Sequence, residues 1–179
     1  MIYSINSRKI TFIVISIFII LIFSFCSSSK YTTFKDEKGK NIIIGNLTWS
    51  EWKKEAGWNS YSATNTEFDG LKIKLLAKFV NPGDYSFKLF GGSWCGDSES
   101  QMPIIYKLFE KAGISNTLIS LYGLDRDKKE PSGEAQLYNI ERVPTFIVLL
   151  KNKEIGRIVE YPAKSWEDDL LKIILEKSN

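Results

Sequence analysis

The sequence predicts an α/β domain in which helices flank a mixed β-sheet. Between residues 85 and 177, apolar runs of strand length alternate with longer segments whose apolar residues recur at helical spacing. Strand, helix, strand, helix, strand, strand and helix follow one another there, which is the order of a layered α/β domain. A chain of 179 residues that is 44% hydrophobic and 13% aromatic has enough apolar surface for one packed domain.

The N-terminal region has the features of an export signal, which we assign to residues 1–25. Arg8 and Lys9 precede a sixteen-residue apolar run, 10–25, that contains only three hydroxyl side chains. A basic flank followed by such a run is typical of a signal peptide, and the run is shorter than the roughly 20 residues of a membrane span. Cys26 and a serine-rich stretch follow directly. This order resembles a bacterial lipoprotein signal and implies lipidation of Cys26.

An uncleaved N-terminal anchor is the alternative. Phe23 and Phe25 stand where a lipoprotein signal usually has Leu and a small residue, and in this alternative Cys26 is an incidental apolar residue. Both interpretations place the rest of the chain on the extracytoplasmic side of a membrane. We expect a membrane-anchored lipoprotein on the periplasmic or cell-surface side.

Residues 26–46 are predicted to form a polar tether that leads into the domain, residues 47–179. Lys, Asp, Glu and Gly recur in the tether with little periodicity. Three consecutive isoleucines predict a short strand at 42–44. Residues 48–58 predict a helical extension at the start of the domain, because two tryptophans spaced three apart share one helix face and can pack inward.

The stretch 71–79 is ambiguous, because its residues alternate like a strand while Leu71, Leu75 and Phe79 also form a helical stripe. An Asn-Pro-Gly sequence ends it at 81–83. The remaining strands are predicted at 85–90, 118–124, 145–150 and 155–160, and the remaining helices at 98–112, 134–139 and 165–177.

Composition excludes several kinds of chemistry. The chain has no histidine and two cysteines, which removes catalytic sites built on histidine and most zinc sites. We expect neither a metal ion nor a cofactor. Lys and Arg number 24 against 21 Asp and Glu, and this near balance gives no reason to expect a nucleic-acid partner.

The main candidate for chemistry is Cys95, within the stretch 90–98 (FGGSWCGDS). It falls between the C-terminal end of a predicted strand and the first turn of a predicted helix. Free backbone N–H groups and the positive end of the helix dipole favour thiolate over thiol at such a position. A buried, inert cysteine is the alternative, although the flanking glycines and Ser93 are poor neighbours for core packing.

Two motifs resemble those of the thioredoxin family. Trp94-Cys95-Gly96-Asp97-Ser98 stands at the strand-to-helix junction, and Arg142-Val143-Pro144-Thr145-Phe146 leads into a later strand. The resemblance covers about 71–177 and is strongest to bacterial thioredoxin-like proteins that carry WCGDS in place of WCGPC. It implies a thioredoxin-like three-layer sandwich with a four- or five-stranded sheet, and it implies a helix at 71–79.

The resemblance also implies where the site lies. Val143 and Pro144 correspond to the family's cis-proline loop, which lies opposite the active cysteine and receives the extended backbone of a substrate. Trp94 corresponds to the tryptophan beside the nucleophile, Cys95, and residues 96–98 complete the neighbourhood of the cysteine.

Two departures from the family pattern indicate a monothiol. Ser98 stands in place of the second, resolving cysteine, and Leu89 stands six residues before Cys95, where the family has a buried aspartate. Cys95 is therefore expected to attack a disulfide or a low-molecular-weight thiol adduct and to form a mixed disulfide that an external thiol must resolve. Ser98 can donate a hydrogen bond to the thiolate but cannot leave or attack.

Charged residues near the two motifs have structural interpretations. A carboxylate at Asp97 disfavours a nearby thiolate, and we expect it to accept N–H groups in the first turn of the helix. Asp125-Arg126-Asp127 is predicted to form a loop ion pair or cap rather than a substrate contact.

Two functions from different classes follow. The first is an enzyme, a membrane-tethered monothiol oxidoreductase that acts on protein or small-molecule thiols and disulfides through Cys95. The second is a non-catalytic binding module that grips extended peptides at the Pro144 loop. Reactivity of Cys95 separates them, because only the enzyme requires it.

Overall fold

The computed structural model describes residues 30–58, 65–81 and 83–177. The predicted export signal at 1–25 and the predicted lipidation site, Cys26, lie outside the described residues. The strands are β1 (Tyr31–Lys35), β2 (Asn41–Leu47), β3 (Tyr85–Gly91), β4 (Ile119–Gly123), β5 (Thr145–Leu150) and β6 (Lys153–Val159). The helices are α1 (Trp49–Ala56), α2 (Gly70–Val80), α3 (Gly96–Lys111), α4 (Glu134–Leu137) and α5 (Trp166–Lys177). Within the described ranges no helix has the length and apolar character needed to cross a membrane.

The strands form one mixed sheet in the order β1-β2-β4-β3-β5-β6. β3 and β4 are parallel, whereas the other neighbouring pairs of this sheet are antiparallel. A parallel pair needs a crossover connection, and α3 lies in that connection. The predicted fold class, a mixed sheet flanked by helices, is confirmed.

The sheet is buried on both faces, which gives the domain three layers. On one face Phe87 and Phe146 pack with residues of α1, α2, α3 and α5. On the other face Phe90 and Ile147 form a smaller core with α4, and Cys95 packs against that core. Successive residues of a strand point to opposite faces, so strands buried on both sides appear in the sequence as nearly continuous apolar runs.

The strand predicted at 42–44 is present within β2, but the structure differs from the sequence prediction at residues 31–41, which the sequence pattern predicts as part of a polar tether. β1 and β2 form an antiparallel hairpin in which Tyr31 lies opposite Gly45 and Lys35 opposite Asn41. β1 is an edge strand and most of its residues are exposed, so it lacks the apolar pattern by which a strand is recognised. The sheet formed by the described residues therefore has six strands rather than four or five.

Two glycines allow the hairpin to pack closely on the rest of the sheet. Gly45 of β2 lies opposite Gly123 of β4. A Cβ atom on Gly123 would lie 2.5 Å from the carbonyl oxygen of Ile43. Gly45 has a φ angle of 118°, a conformation that side chains other than hydrogen rarely adopt. A larger residue at Gly123 would push β2 and β4 apart, and a Cβ atom on Gly45 would lie 2.4 Å from the carbonyl oxygen of Lys30 and so push β1 away from β2.

The ambiguous stretch 71–79 is helical, as the family resemblance implies. α2 follows Asp69, whose carboxylate accepts a hydrogen bond from the Leu71 N–H at 2.9 Å and so caps the helix. The buried side chains of α2 are Leu76 and Val80. Leu71, which the predicted stripe includes, is 78% exposed.

The predicted helix at 48–58 is present as α1. Thr48 Oγ1 accepts a hydrogen bond from the Glu51 N–H at 3.2 Å, and Glu51 Oε2 accepts one from the Thr48 N–H at 2.7 Å. This capping box satisfies two backbone donors that would otherwise lack partners at the helix start. Both tryptophans of α1, Trp49 and Trp52, are buried in the larger core.

Candidate functional site

Cys95 occupies the junction between β3 and α3, as the sequence predicts. β3 ends at Gly91, and Cys95 is the N-cap residue of α3 with extended backbone angles (φ −99°, ψ 124°). Its N–H donates to the Gly92 carbonyl at 2.9 Å, which closes the tight turn between strand and helix. The side chain is only partly buried, so solvent reaches a sulfur that lies at the positive end of a sixteen-residue helix.

The cysteine meets the predicted proline loop. Cys95 Sγ donates to the carbonyl oxygen of Val143 at 3.3 Å, although the two residues are 48 positions apart in the sequence. The Val143–Pro144 peptide bond is cis, and both residues are buried. The structure thus brings together the two motifs on which the family resemblance depends.

Trp94 forms the wall of the site on the side of the β4–α4 loop. Its indole Nε1 donates to the carbonyl oxygen of Leu124 at 2.9 Å. The guanidinium carbon of Arg126 lies 5.2 Å from the centre of the Trp94 ring, within the range of a cation–π contact. Arg126 also forms an ion pair with Asp36 of the hairpin turn at 2.7 Å. Asp125 accepts the N–H of Lys129 at 2.8 Å.

The interpretation of the 125–127 cluster as a loop ion pair and cap agrees with these contacts. Its arginine nevertheless contributes to the site, because it covers the indole ring beside the cysteine. The cluster therefore contributes to the shape of the site, and the Arg126–Asp36 ion pair and the Asp125–Lys129 hydrogen bond are both made within the protein.

Ser93 attaches the cysteine loop to the N-terminal hairpin. Its hydroxyl donates to the carbonyl oxygen of Asn41 at 2.7 Å and accepts from the N–H of Ile43 at 3.0 Å. The side chain is 6% exposed. The hydroxyl thus satisfies one C=O and one N–H group of β2, as the backbone of a neighbouring strand would. The sequence offered no sign of this contact beyond the small, polar nature of the residue.

Ser98 occupies the place of the resolving cysteine, and its environment differs from the expected one. The side chain is fully buried, and its Oγ accepts a hydrogen bond from the Gly92 N–H at 3.1 Å. This hydrogen bond links Ser98 to the turn that precedes the cysteine. Leu89, which stands in place of the family's aspartate, is also fully buried.

Asp97 has a partner that sequence reasoning missed. The side-chain hydrogen bond of Asp97 comes from the hydroxyl of Tyr161, rather than from N–H groups in the first turn of α3 as predicted. This hydrogen bond raises the pKa of Tyr161 above its usual value, and partial burial and the negative charges of Asp97 and Cys95 act in the same direction. A hydrogen bond with the Ser100 side chain acts in the opposite direction but does not outweigh them. The partners lie 64 residues apart, and no local pattern connects them.

Two charged residues lie in the smaller core, on the sheet face that carries the site. Lys88 Nζ donates to Glu134 Oε2 at 2.7 Å and to the hydroxyl of Tyr122 at 3.4 Å. Burial lowers the pKa of Lys88, but these hydrogen bonds and the nearby negative charge outweigh it and hold the pKa above its usual value. For Glu130, burial raises the pKa, and hydrogen bonds from Ser132 and neighbouring N–H groups outweigh it. Lys88 fastens α4 to the sheet, and Glu130 accepts the Ala135 N–H at 3.2 Å and so caps the start of α4.

The described part of the chain contains no set of three or more cysteine or acidic side chains arranged to hold a metal ion. The side chains that make up the site are a partly exposed thiol, a buried hydroxyl, an indole and a carboxylate–phenol pair.

A cysteine that caps a helix, opens the α3 crossover of a mixed sheet and faces a cis-proline loop defines the thioredoxin-like class of proteins. A thioredoxin of Chlamydia caviae is 30% identical to this chain over 89 residues, which make up 50% of this chain and 78% of that protein. The chain belongs to the thioredoxin family. No family model matches the sequence.

Several solved structures are similar to this chain. A mutant thioredoxin of Halobacterium salinarum is 20% identical, with a TM-score of 0.37, over 58% of this chain and 83% of its own. Mitochondrial thioredoxin 3 of Saccharomyces cerevisiae is 20% identical, with a TM-score of 0.37, over 66% of this chain and 99% of its own. A protein of unknown function from Pseudomonas aeruginosa is 14% identical, with a TM-score of 0.48, over 74% and 82%.

Proposed function

We propose that this protein is a membrane-tethered, extracytoplasmic member of the thioredoxin family that exchanges thiols and disulfides through a single cysteine, Cys95. The thioredoxin-like fold suggests thiol–disulfide redox chemistry. The observation that carries the proposal is the position of Cys95 Sγ at the start of α3, 3.3 Å from the Val143 carbonyl oxygen, while a buried serine occupies the place of a second thiol.

The chemistry of a monothiol site has two steps. In the first, the Cys95 thiolate attacks one sulfur of a substrate disulfide; a bond forms between that sulfur and Cys95, and the other sulfur leaves as a thiolate and takes a proton from solvent. In the second, an external thiolate attacks the substrate sulfur of the mixed disulfide and releases Cys95. One disulfide is broken and one is formed, so no other oxidant or reductant is needed.

The arrangement around the sulfur supports this sequence of steps. The N-terminus of a helix stabilises negative charge, and Cys95 is the residue that precedes the first turn of α3. The family resemblance assigns the extended backbone of a substrate to the Val143–Pro144 loop, and the sulfur contacts that loop directly. Ser98, whose hydroxyl oxygen accepts the Gly92 N–H, carries no sulfur and therefore cannot form a second disulfide bond.

We expect Cys95 to form a mixed disulfide faster than free cysteine does at neutral pH, because the helix terminus stabilises the attacking thiolate. The purified full chain in detergent would be exposed to 2-hydroxyethyl disulfide, and peptide mass spectrometry would locate and follow the adduct. The adduct should persist until an external thiol is added. Cys95→Ser should remove the mapped adduct without unfolding the protein.

The same experiment tests the alternative function. An adduct at Cys95 that forms no faster than on free cysteine would contradict the enzyme and leave the peptide-binding module. A rapid adduct that disappears without added thiol would contradict the monothiol mechanism, because the protein would then contain its own resolving group.

Membrane attachment is a separate part of the proposal, and it rests on the order of Arg8-Lys9, the apolar run and Cys26. We expect the mature protein to begin at Cys26, to carry lipid there and to partition with membranes. Mass spectrometry of the native N-terminus would decide this. An intact Met1, or cleavage at another position, would rule out the lipoprotein.

A further inference from the structure

One carboxylate lies beside the cysteine, and neither step of the proposed reaction uses it. Asp97 lies two residues after Cys95, in the first turn of α3. Its Oδ1 accepts a hydrogen bond from the hydroxyl of Tyr161, which lies just beyond the end of β6. The phenol thus approaches the start of α3 from the opposite end of the chain.

Tyr161 is held by the same loop that Cys95 faces. The N–H of Glu160 donates to the carbonyl oxygen of Pro144 at 2.7 Å. Glu160 has a φ angle of 60°, which turns the chain sharply after β6. Arg142 forms an ion pair with Glu160 at 3.0 Å. The position of the phenol is therefore set by contacts to residues on both sides of the cis peptide bond.

The phenol and the thiol are close enough to interact electrostatically. The pKa of Tyr161 is raised by the Asp97 hydrogen bond, by partial burial and by the Asp97 charge. A hydrogen bond with the Ser100 side chain lowers it, and negative charge on Cys95 raises it to a smaller extent. On the other side of the site, Arg126 and Lys128 face the Trp94 ring, and Arg126 is already paired with Asp36. Leu89, which stands six residues before Cys95, is buried in the larger core and contributes no charge.

We propose that Tyr161 is a positioning residue, which holds the Asp97 carboxylate against its hydroxyl. In this way it sets the preference of Cys95 among positively charged, neutral and negatively charged disulfides. The inference rests on the proposed function. While the hydrogen bond is made, the carboxylate is fixed in one direction and part of its charge is neutralised by the phenol dipole. Without it, the carboxylate is free to turn towards the solvent beside the sulfur, where it attracts cations and repels anions.

A purely structural role does not explain this hydrogen bond well. Tyr161 is 51% exposed, and hydrogen bonds between exposed groups contribute little to folding stability, because water replaces either partner readily. The loop that carries Tyr161 is already fixed by the Glu160–Pro144 and Arg142–Glu160 contacts. What the phenol adds is the orientation of one carboxylate.

Alkylation tests the positioning without requiring disulfide exchange. Iodoacetamide is neutral and iodoacetate is anionic, and the two reagents are nearly equal in size. The rates of Cys95 alkylation in the full chain, located by peptide mapping, give a ratio of neutral to anionic reagent. Tyr161→Phe keeps the ring and removes the hydroxyl, and it should raise this ratio by about threefold or more. Added salt should reduce the effect.

Asp97→Asn is the background in which the effect of Tyr161→Phe should disappear. It removes the charge, so the ratio should fall below that of the wild type, and Tyr161→Phe should have no further effect in that background. Tyr31→Phe is the matched control, because the Tyr31 hydroxyl donates to Glu55 Oε1 at 3.4 Å in another part of the fold. It should leave the ratio unchanged.

A parallel measurement with disulfides connects the positioning to the proposed reaction. Cystamine, 2-hydroxyethyl disulfide and dithiodipropionate are similar in length and carry positive, no and negative charge. Tyr161→Phe should shift the rates of adduct formation towards cystamine by a similar factor. An unchanged alkylation ratio in Tyr161→Phe, or the same change in the Asp97→Asn background, would overturn the inference. A shifted alkylation ratio without any disulfide adduct would instead refute the proposed function.

Discussion

Replacing Ser98 with cysteine is expected to shorten the life of the mixed disulfide on Cys95 by roughly a hundredfold or more, because attack from within the same protein replaces attack by an external thiol. Ser98 lies three residues after Cys95, in the first turn of α3, and residues three apart on a helix are neighbours. Its side chain is fully buried beneath the turn that carries the cysteine. A thiol placed there would lie close to the Cys95 sulfur and could resolve the mixed disulfide without an external thiol.

The adduct lifetime would be measured by mass spectrometry after excess disulfide is removed. Glu110→Cys is the matched control, because Glu110 is exposed on the same helix and lies about four turns away from Cys95. It should leave the lifetime unchanged. An equally long-lived adduct in Ser98→Cys would show that the position of the sulfur, and not the missing thiol, prevents internal resolution.

The largest loss of stability is expected from Phe87→Ala. Phe87 is 1% exposed, and its ring centre lies 4.9 Å from that of Phe109 and 5.4 Å from that of Phe146. Removing the ring takes away apolar contacts and leaves a cavity between the sheet and α3, which together cost about 3–5 kcal/mol of unfolding free energy. Urea denaturation followed by tryptophan fluorescence would measure the loss.

Phe34→Ala is the control for this substitution. The same ring is removed, but Phe34 lies on the edge strand β1 and is 52% exposed, so the change in unfolding free energy should stay within about 0.5 kcal/mol. Equal losses at the two positions would contradict the assignment of Phe87 to the main core.

The central part of the fold could be predicted because its signals are local. β3 and β5 are buried on both faces and appear as apolar runs, and α3 has its apolar residues at helical spacing. These elements also place the cysteine, since Cys95 falls between the end of one and the start of the next. The contact of its sulfur with Val143 required more than periodicity, and it followed from the family resemblance.

The parts that could not be predicted depend on partners far away in the sequence. β1 becomes a strand because β2 pairs with it, and its own polar residues match a tether equally well. Asp97 has a suitable N–H environment in its own helix, yet its carboxylate binds Tyr161, which a turn after β6 brings close. Ser98 bonds the Gly92 N–H, a choice set by the geometry of a turn that sequence patterns do not describe.

The two hydrogen bonds of Ser93 bear on how a substrate would meet the cysteine. Because the hydroxyl binds the backbone on both sides of Ile42, the segment before Cys95 cannot shift without breaking these two hydrogen bonds. The conformational entropy that a mobile loop would lose on each encounter is therefore lost once, when the chain folds. If the proposed function holds, adaptation to different substrates would fall to the substrate itself, and disulfides in flexible, extended segments would react more readily than those in rigid folded surfaces.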